Sequence, residues 1–154
     1  MNDLEKLLIE RTCERLATSY ANLLDAYDYE AFLDLWAEDA VLNMLGREFS
    51  GRQAIRRWLE GREPGMICRH LVTNIVTDVI DADRARGYCY TISYRVQNAL
   101  GQEPGPLERP TFLVHYRSEF TRHPARGWLI ARRDVVADMA GPAQRQAILG
   151  SRKG

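Results

Sequence analysis

The spacing of apolar residues along this 154-residue chain changes from mostly helical to strand-like after Pro64, and that change constrains the fold more than any single motif. Before Pro64 the spacing is helical. Leu4, Leu7, Leu8, Leu16, Tyr20, Leu23 and Leu24 predict a long first helix over about residues 3–26. Asp28 or a neighbour caps a short second helix with apolar positions Phe32, Leu33, Leu35 and Trp36, which Glu38-Asp39 ends. Residues 40–44 read as a short strand. Ser50-Gly51-Arg52-Gln53 has the spacing of a capping box and opens a third helix carrying Ile55, Trp58 and Leu59. Gly61 and Pro64-Gly65 close that helix.

Beyond Pro64 the period is two. Residues 68–80 and 84–98 are rich in Val, Ile, Thr and Tyr and flank Asp81-Ala82-Asp83, the pattern of a hairpin. Residues 101–106 form a Gly/Pro loop, a third long strand spans about 110–122, and His123–Gly127 turns the chain into a last strand from Trp128 to about Ala137. From Met139 the chain is interrupted by Gly and Pro, so 139–154 is expected to be a flexible tail or to pack on a partner subunit. Helices followed by long strands define an α+β fold: one domain over residues 1–154, with helices on one face of a strongly curved antiparallel or mixed sheet. Such a sheet, covered on one side, encloses a cone suited to a small molecule.

Charge narrows the partners. Twenty-one basic and 21 acidic residues cancel, so nothing favours nucleic acid or an anionic membrane surface, and no apolar run approaches a membrane span. The charged opening Met1–Lys6 is unlike a secretory signal, and the expected location is the cytoplasm. Cys13, Cys68 and Cys89 form no C-x-x-C pair, and His70, His115 and His123 form no metal-binding cluster. Neither a metal nor an organic cofactor is expected.

The chemistry concentrates in Arg69-His70-Leu71-Val72-Thr73-Asn74, where a histidine opens a β-branched run. Histidine titrates near neutrality, so one held against a carboxylate in an apolar cavity is a proton-transfer device. Asp25 stands near the end of the first helix, where the dipole disfavours a carboxylate. Tyr20 lies five residues before it, about 140° around an ideal helix, so both can border a wide cavity without stacking. Strand alternation turns His70, Val72 and Asn74 the same way, making Asn74 a candidate substrate contact or, equally, a bulge residue. His115, mid-strand, is a candidate cavity residue. Arg132 and Arg133 occupy opposite faces of the last strand, so one of them points inward, where it can hold an anion. Tyr88, Tyr90 and Tyr94 share one face, either a cavity wall or a subunit contact. Trp36 is a candidate substrate contact, although Trp36, Trp58 and Trp128 also suit core anchoring.

Several segments together resemble the SnoaL-like branch of the NTF2-like superfamily, which includes scytalone dehydratase-like and bile-acid dehydratase-like proteins. They are Tyr20-x4-Asp25, Asp28-Tyr29-Glu30-Ala31-Phe32-x3-Trp36-Ala37-Glu38-Asp39-Ala40-Val41, Gly51-Arg52-Gln53-Ala54-Ile55, Arg69–Asn74 and Gly127-Trp128-Leu129-Ile130-Ala131-x-Arg133. The resemblance runs from about residue 15 to 137. It implies an NTF2-like cone of three N-terminal helices on a curved sheet, with the Asp and His of the dehydratase-like members falling on Asp25 and His70, and their tyrosine on Tyr20. Where scytalone dehydratase-like enzymes carry an active-site tyrosine, this chain has Met44, a departure that touches the water-organising step and the substrate. The expectation is a cofactor-independent lyase of dehydratase type, acting on a small, cyclic, mostly apolar carbonyl compound, in a homodimer or homotrimer. The same scaffold also serves isomerases, cyclases, dehydrohalogenases and non-catalytic subunits such as dioxygenase β subunits.

Overall fold

A computed structural model describes residues 1–96, 106–107 and 109–151. Helix α1 (Asp3–Ala26) opens with a capping box in which the Asn2 side chain takes the Glu5 N–H and the Glu5 carboxylate takes the Asn2 N–H. It ends on Tyr27, whose left-handed backbone (φ 59°) turns the chain directly into α2 (Tyr29–Asp34). Asp28 caps α2 through the Ala31 N–H, as its position in the sequence suggests.

The next boundary differs from expectation. Trp36 belongs to strand β1 (Trp36–Met44), not to α2, because its neighbourhood pairs in parallel with the last strand, Trp36 opposite Ile130. A further strand, β2 (Arg47–Ser50), follows a tight turn at Leu45-Gly46, both in left-handed backbone (φ 55° and 93°). Ser50 is therefore a strand residue opposite Val41 and caps nothing. Helix α3 (Arg52–Glu60) starts at Gly51, which has φ 83° and no side chain to offer.

Strands β3 (Ile67–Val79), β4 (Arg84–Val96), β5 (Phe112–His123) and β6 (Gly127–Ala140) complete the fold, with the hairpin at residues 80–83 where the sequence places it. The order is β2-β1-β6-β5-β4-β3, antiparallel except for β1 against β6, so the sheet is mixed and does not close into a barrel. Residues 142–151, expected as irregular tail, form helix α4 (Pro142–Ser151) after β6 has run on to Ala140. Residues 101–105 of the expected loop and residues 152–154 lie outside the described residues.

Three helices thus precede the long strands, although β1 and β2 intervene before α3, and a fourth follows them. The core lies between the helices and the concave face of the sheet, where Tyr20, Phe32, Leu33, Trp36, Leu42 and Ile55 are essentially inaccessible. Pairing register assigns the faces: Cys89, Thr91 and Ser93 turn inward from β4, whereas Tyr88 and Tyr90 turn outward. At Gly87 an added Cβ would stand 2.8 Å from the Phe120 ring, so the ring's packing on β4 requires a residue without a side chain. Among the described residues no helix is long and apolar enough to cross a membrane.

Candidate active site

The last turn of α1 lies against β3, and the two elements contribute one residue each to a closed pair. Asp25 Oδ1 meets His70 Nδ1 at 2.6 Å, and Asp25 Oδ2 accepts the backbone N–H of His70 at 2.8 Å. One carboxylate thereby fixes both the ring and the strand that carries it. Both side chains are nearly buried, at 6% and 11% exposure for His70 and Asp25. Burial is the largest single influence on the imidazole and lowers its pKa. The bonds to Asp25 and Cys68 together outweigh it, and His70 is pushed up to about 9. The Cys68 thiol sits 3.7 and 3.8 Å from the two ring nitrogens.

The imidazole lines a cavity of about 240 Å³ in the mouth of the cone. Its buried wall is mostly apolar: Tyr20 and Leu24 from α1, Val114 and Tyr116 from β5, and Val135 from β6. Tyr27, Met44, Trp58, Arg62 and Met66 form a partly exposed wall. With Nδ1 engaged by Asp25, Nε2 is the ring nitrogen left for chemistry.

Behind this wall is a buried cation. Arg133 is wholly inaccessible, with its guanidinium carbon 4.3 Å from the Tyr20 ring centre and 4.9 Å from that of Tyr116. Its Nε donates to Ser118 Oγ at 3.0 Å, but among the described residues neither terminal nitrogen has a hydrogen-bond partner, and neither has the buried Tyr20 hydroxyl. Such groups are costly to leave unpaired, so their retention beside a cavity is a functional signal. Burial pushes the Tyr20 phenol up to about 12, against the opposing pull of Arg133, Arg62 and Arg95.

His70, Tyr20 and Met44 therefore border one space, and Asp25 stands behind His70, bonded to its ring and backbone and not itself on the cavity wall. Four other candidates are elsewhere. Asn74 sits in a β-bulge between Thr73 and Val76 with φ 53°, exposed and bonded to Thr73; the bulge breaks the alternation that aligned it with His70. His115 is on the outer face, since the cavity takes its neighbours Val114 and Tyr116, and its Nδ1 lies 2.9 Å from both Asp138 oxygens. Arg132 faces outward to Asp134 at 2.8 Å and Glu48 at 3.5 Å; Arg133 is the inward residue. Trp36 is in the core, against Tyr20 and Phe32, and Trp58 is the tryptophan on the cavity wall. Tyr116, Arg62 and Met66 are cavity residues that the sequence reading misses. Only Tyr116 had a signal, its shared face with Val114 in an alternating strand.

Asp25, Cys68 and His70 also bring a carboxylate, a thiol and an imidazole within 4.8 Å, a donor set open to a soft divalent ion. The short Asp25–His70 bond engages two of these donors with each other, so an ion binding through Nδ1 would have to displace it.

No curated protein matches the sequence significantly. Solved structures match the fold across most of its length. One, an NTF2-like protein with a cystatin-like fold from Novosphingobium aromaticivorans, is 27% identical with a TM-score of 0.69, covering 94% of this chain and 91% of that one. A candidate scytalone dehydratase from the same organism is 20% identical with a TM-score of 0.74, covering 89% of each chain. A type 2 hexachlorocyclohexane dehydrochlorinase (LinA) is 16% identical with a TM-score of 0.74, covering 92% and 93%. The family model for the SnoaL-like domain matches residues 5–134, and this chain belongs to that family.

Proposed function

We propose that the protein is a cofactor-independent lyase that eliminates water, or a comparable leaving group, from a cyclic carbonyl compound. The Asp25–His70 pair beside the cavity is the observation that carries this reading. His70 Nε2 takes a proton from the carbon next to the carbonyl. Asp25 holds Nδ1–H toward itself and stabilises the imidazolium as it forms. The carbon's electron pair moves to the carbonyl oxygen as an enolate, which the unpartnered Tyr20 hydroxyl is free to bond. Arg133, behind the two tyrosine rings, supplies positive potential where that negative charge develops. When the enolate collapses, the β-substituent leaves with its bonding pair; a departing hydroxide takes the proton from His70, giving water and the enone. Because His70 rests protonated at neutral pH, its basic form grows as the pH rises toward 9.

The same pair returning its proton to another carbon gives isomerisation, and a halide leaving group gives dehydrohalogenation. The named dehydratase and dehydrochlorinase among the structural relatives support this reaction class. The partners in this reading are the small cyclic substrate and a second or third copy of the chain, for which exposed Leu71, Val76, Tyr90 and Val136 offer apolar surface. The location proposed remains the cytoplasm.

The test uses 3-hydroxy-1-tetralone, whose dehydration gives 1-naphthol by aromatisation. Naphthol formation above background, lost in His70→Ala, supports the reading. Equal rates for wild type and His70→Ala, or tetralone bound without turnover at any pH up to 9.5, which is about half a unit above the His70 value, refute it.

A further inference from the structure

Three guanidinium groups converge on the cavity, and none forms an ion pair with a described carboxylate. Arg133 is buried against Tyr20, Tyr116 and Ser118. Arg62, half-buried on the cavity wall, donates to the Leu24 carbonyl at 2.8 Å and the Tyr29 hydroxyl at 3.4 Å, and its guanidinium covers the Tyr27 ring. Arg95 is exposed at the cavity edge, stacked on Phe112 at 5.2 Å. On the acidic side, Asp25 spends both oxygens on His70, and Glu63 is the single carboxylate among the described lining residues. The cavity is therefore apolar in its walls and positive in its field, a combination that selects an anion.

Arg133 has a use in the proposed elimination, beside the developing enolate. Arg95 and Arg62 do not, because both stand on the partly exposed side. Their placement has its own logic. Arg95 pairs across the sheet with Cys68, and Ser93, two residues earlier, pairs with His70. Arg95 is thus one side-chain repeat from His70 on the same face, about 7 Å along the strand. A group held by Arg95 leaves the rest of a small ring system lying against the imidazole. The size of the space agrees: about 240 Å³ is below the roughly 300–1,000 Å³ of pockets for drug-sized ligands, so one or two fused rings fit.

We infer that the substrate carries a permanent carboxylate, held at the cavity mouth by Arg95 with Arg62 alongside, while its ring enters toward His70. The inference rests on the lyase reading for the direction in which the ring points, but the preference for an anion is a property of binding alone. It makes cyclic keto acids better substrates than the corresponding neutral ketones.

The experiment compares 2-naphthoate with its neutral isostere 2-naphthamide by calorimetric titration near neutral pH, using wild type, Arg95→Gln and His70→Ala. Naphthoate should bind wild type about tenfold more tightly than naphthamide, the scale of one charge-assisted pair at a partly exposed site. Arg95→Gln should remove most of that difference by weakening naphthoate more than naphthamide. His70→Ala should keep the preference. Naphthamide binding as tightly as naphthoate, no saturable naphthoate binding at millimolar concentration, or a preference untouched in Arg95→Gln overturns the proposal. An Arg95-dependent preference in a protein that never eliminates refutes the lyase reading alone; turnover with no anion preference refutes the carboxylate alone.

Discussion

Among the described residues there are two histidine–aspartate pairs, one on each face of the same sheet, and they differ in what surrounds them. Inside, Asp25 and His70 meet at 2.6 Å; outside, Asp138 and His115 meet at 2.9 Å. Both imidazoles are buried, at 6% and 10% exposure. The inner carboxylate divides its oxygens between the ring and the backbone N–H of His70, so ring and strand are locked together. The outer carboxylate turns both oxygens to one ring nitrogen and is one-third exposed. The ring of His70 lines a cavity, with the Cys68 thiol 3.8 Å from its second nitrogen, whereas the second nitrogen of His115 is buried without a partner among the described residues, on a ring stacked against Tyr88 at 5.4 Å. A His–Asp pair is thus only half of a proton-transfer device. The other half is a cavity beside the imidazole, and of these two pairs the inner one has it.

The largest expected effect tests that contrast directly. His70→Ala should lower turnover by about 10³-fold, within the usual range for a lost general base. His115→Gln should leave the rate within about twofold, since a residue 10% exposed on the outer face touches no substrate. Initial rates on a common substrate decide it, and comparable losses in the two variants would erase the distinction between the faces.

Asp25→Asn should cost about 10²-fold, less than removing the base, because the ring stays while its support is halved. Aspartate accepts two hydrogen bonds here, from the ring and from the backbone; asparagine has one acceptor and must forfeit one of them. The loss of negative charge also lowers the His70 pKa, since the Asp25 bond is the leading upward influence on it. The rate–pH profile of the variant should therefore shift to lower pH. An unshifted profile would show that Asp25 does not set the titration.

Third in size is the pH response of the unmodified protein. As a base, His70 must be neutral, and with a pKa near 9 only about one molecule in a hundred is neutral at pH 7. The rate constant kcat/KM should climb tens-fold from pH 7 to 9 and then level. Stability should move the other way. The folded-state pKa lies above the unfolded value of 6.5, so proton binding favours the folded chain. That contribution is complete below pH 6.5 and is lost as the pH passes through about 9, on the order of 3 kcal/mol. Denaturant midpoints across this window measure it. In Asp138→Asn the fall should persist, which separates the inner pair from the outer one.

The comparison also shows what the sequence makes legible. The long first helix, the run of long strands beyond Pro64 and the hairpin at 80–83 follow from local spacing, and the structure has them all. The pairing of Asp25 with His70 was available only through family resemblance, because residues 45 apart meet by helix-on-sheet packing. Local spacing failed where tertiary pairing overrides it. β1 captures Trp36 from α2 by pairing with a strand far along the chain, and the bulge at Asn74 reverses the face count after Thr73. Arg132 and Arg133 could not be told apart by alternation, since both are charged; the deciding fact is that the inward position stands against Tyr20 and Tyr116. His115 and His70 are equivalent as residues in β-branched runs, and only the register of β5 against β6 sends His115 outside.

The smallest expected effect belongs to the outer pair. Asp138→Asn keeps one acceptor for His115 Nδ1–H, and Asp138 is already one-third in water, so the loss in stability should be about 1 kcal/mol. Turnover should not change, because nothing on that face reaches the cavity. His115 is nonetheless held between Asp138 and the Tyr88 ring, and Tyr88 in turn packs edge-on against Tyr90 at 5.4 Å. Loosening the aspartate should therefore register in the tyrosine environment, as a change in near-ultraviolet circular dichroism, before it registers in any rate. If Asp138→Asn instead slowed the reaction tenfold while the fold held, the two faces of the sheet would be coupled, and the separate roles assigned to their histidines would fail.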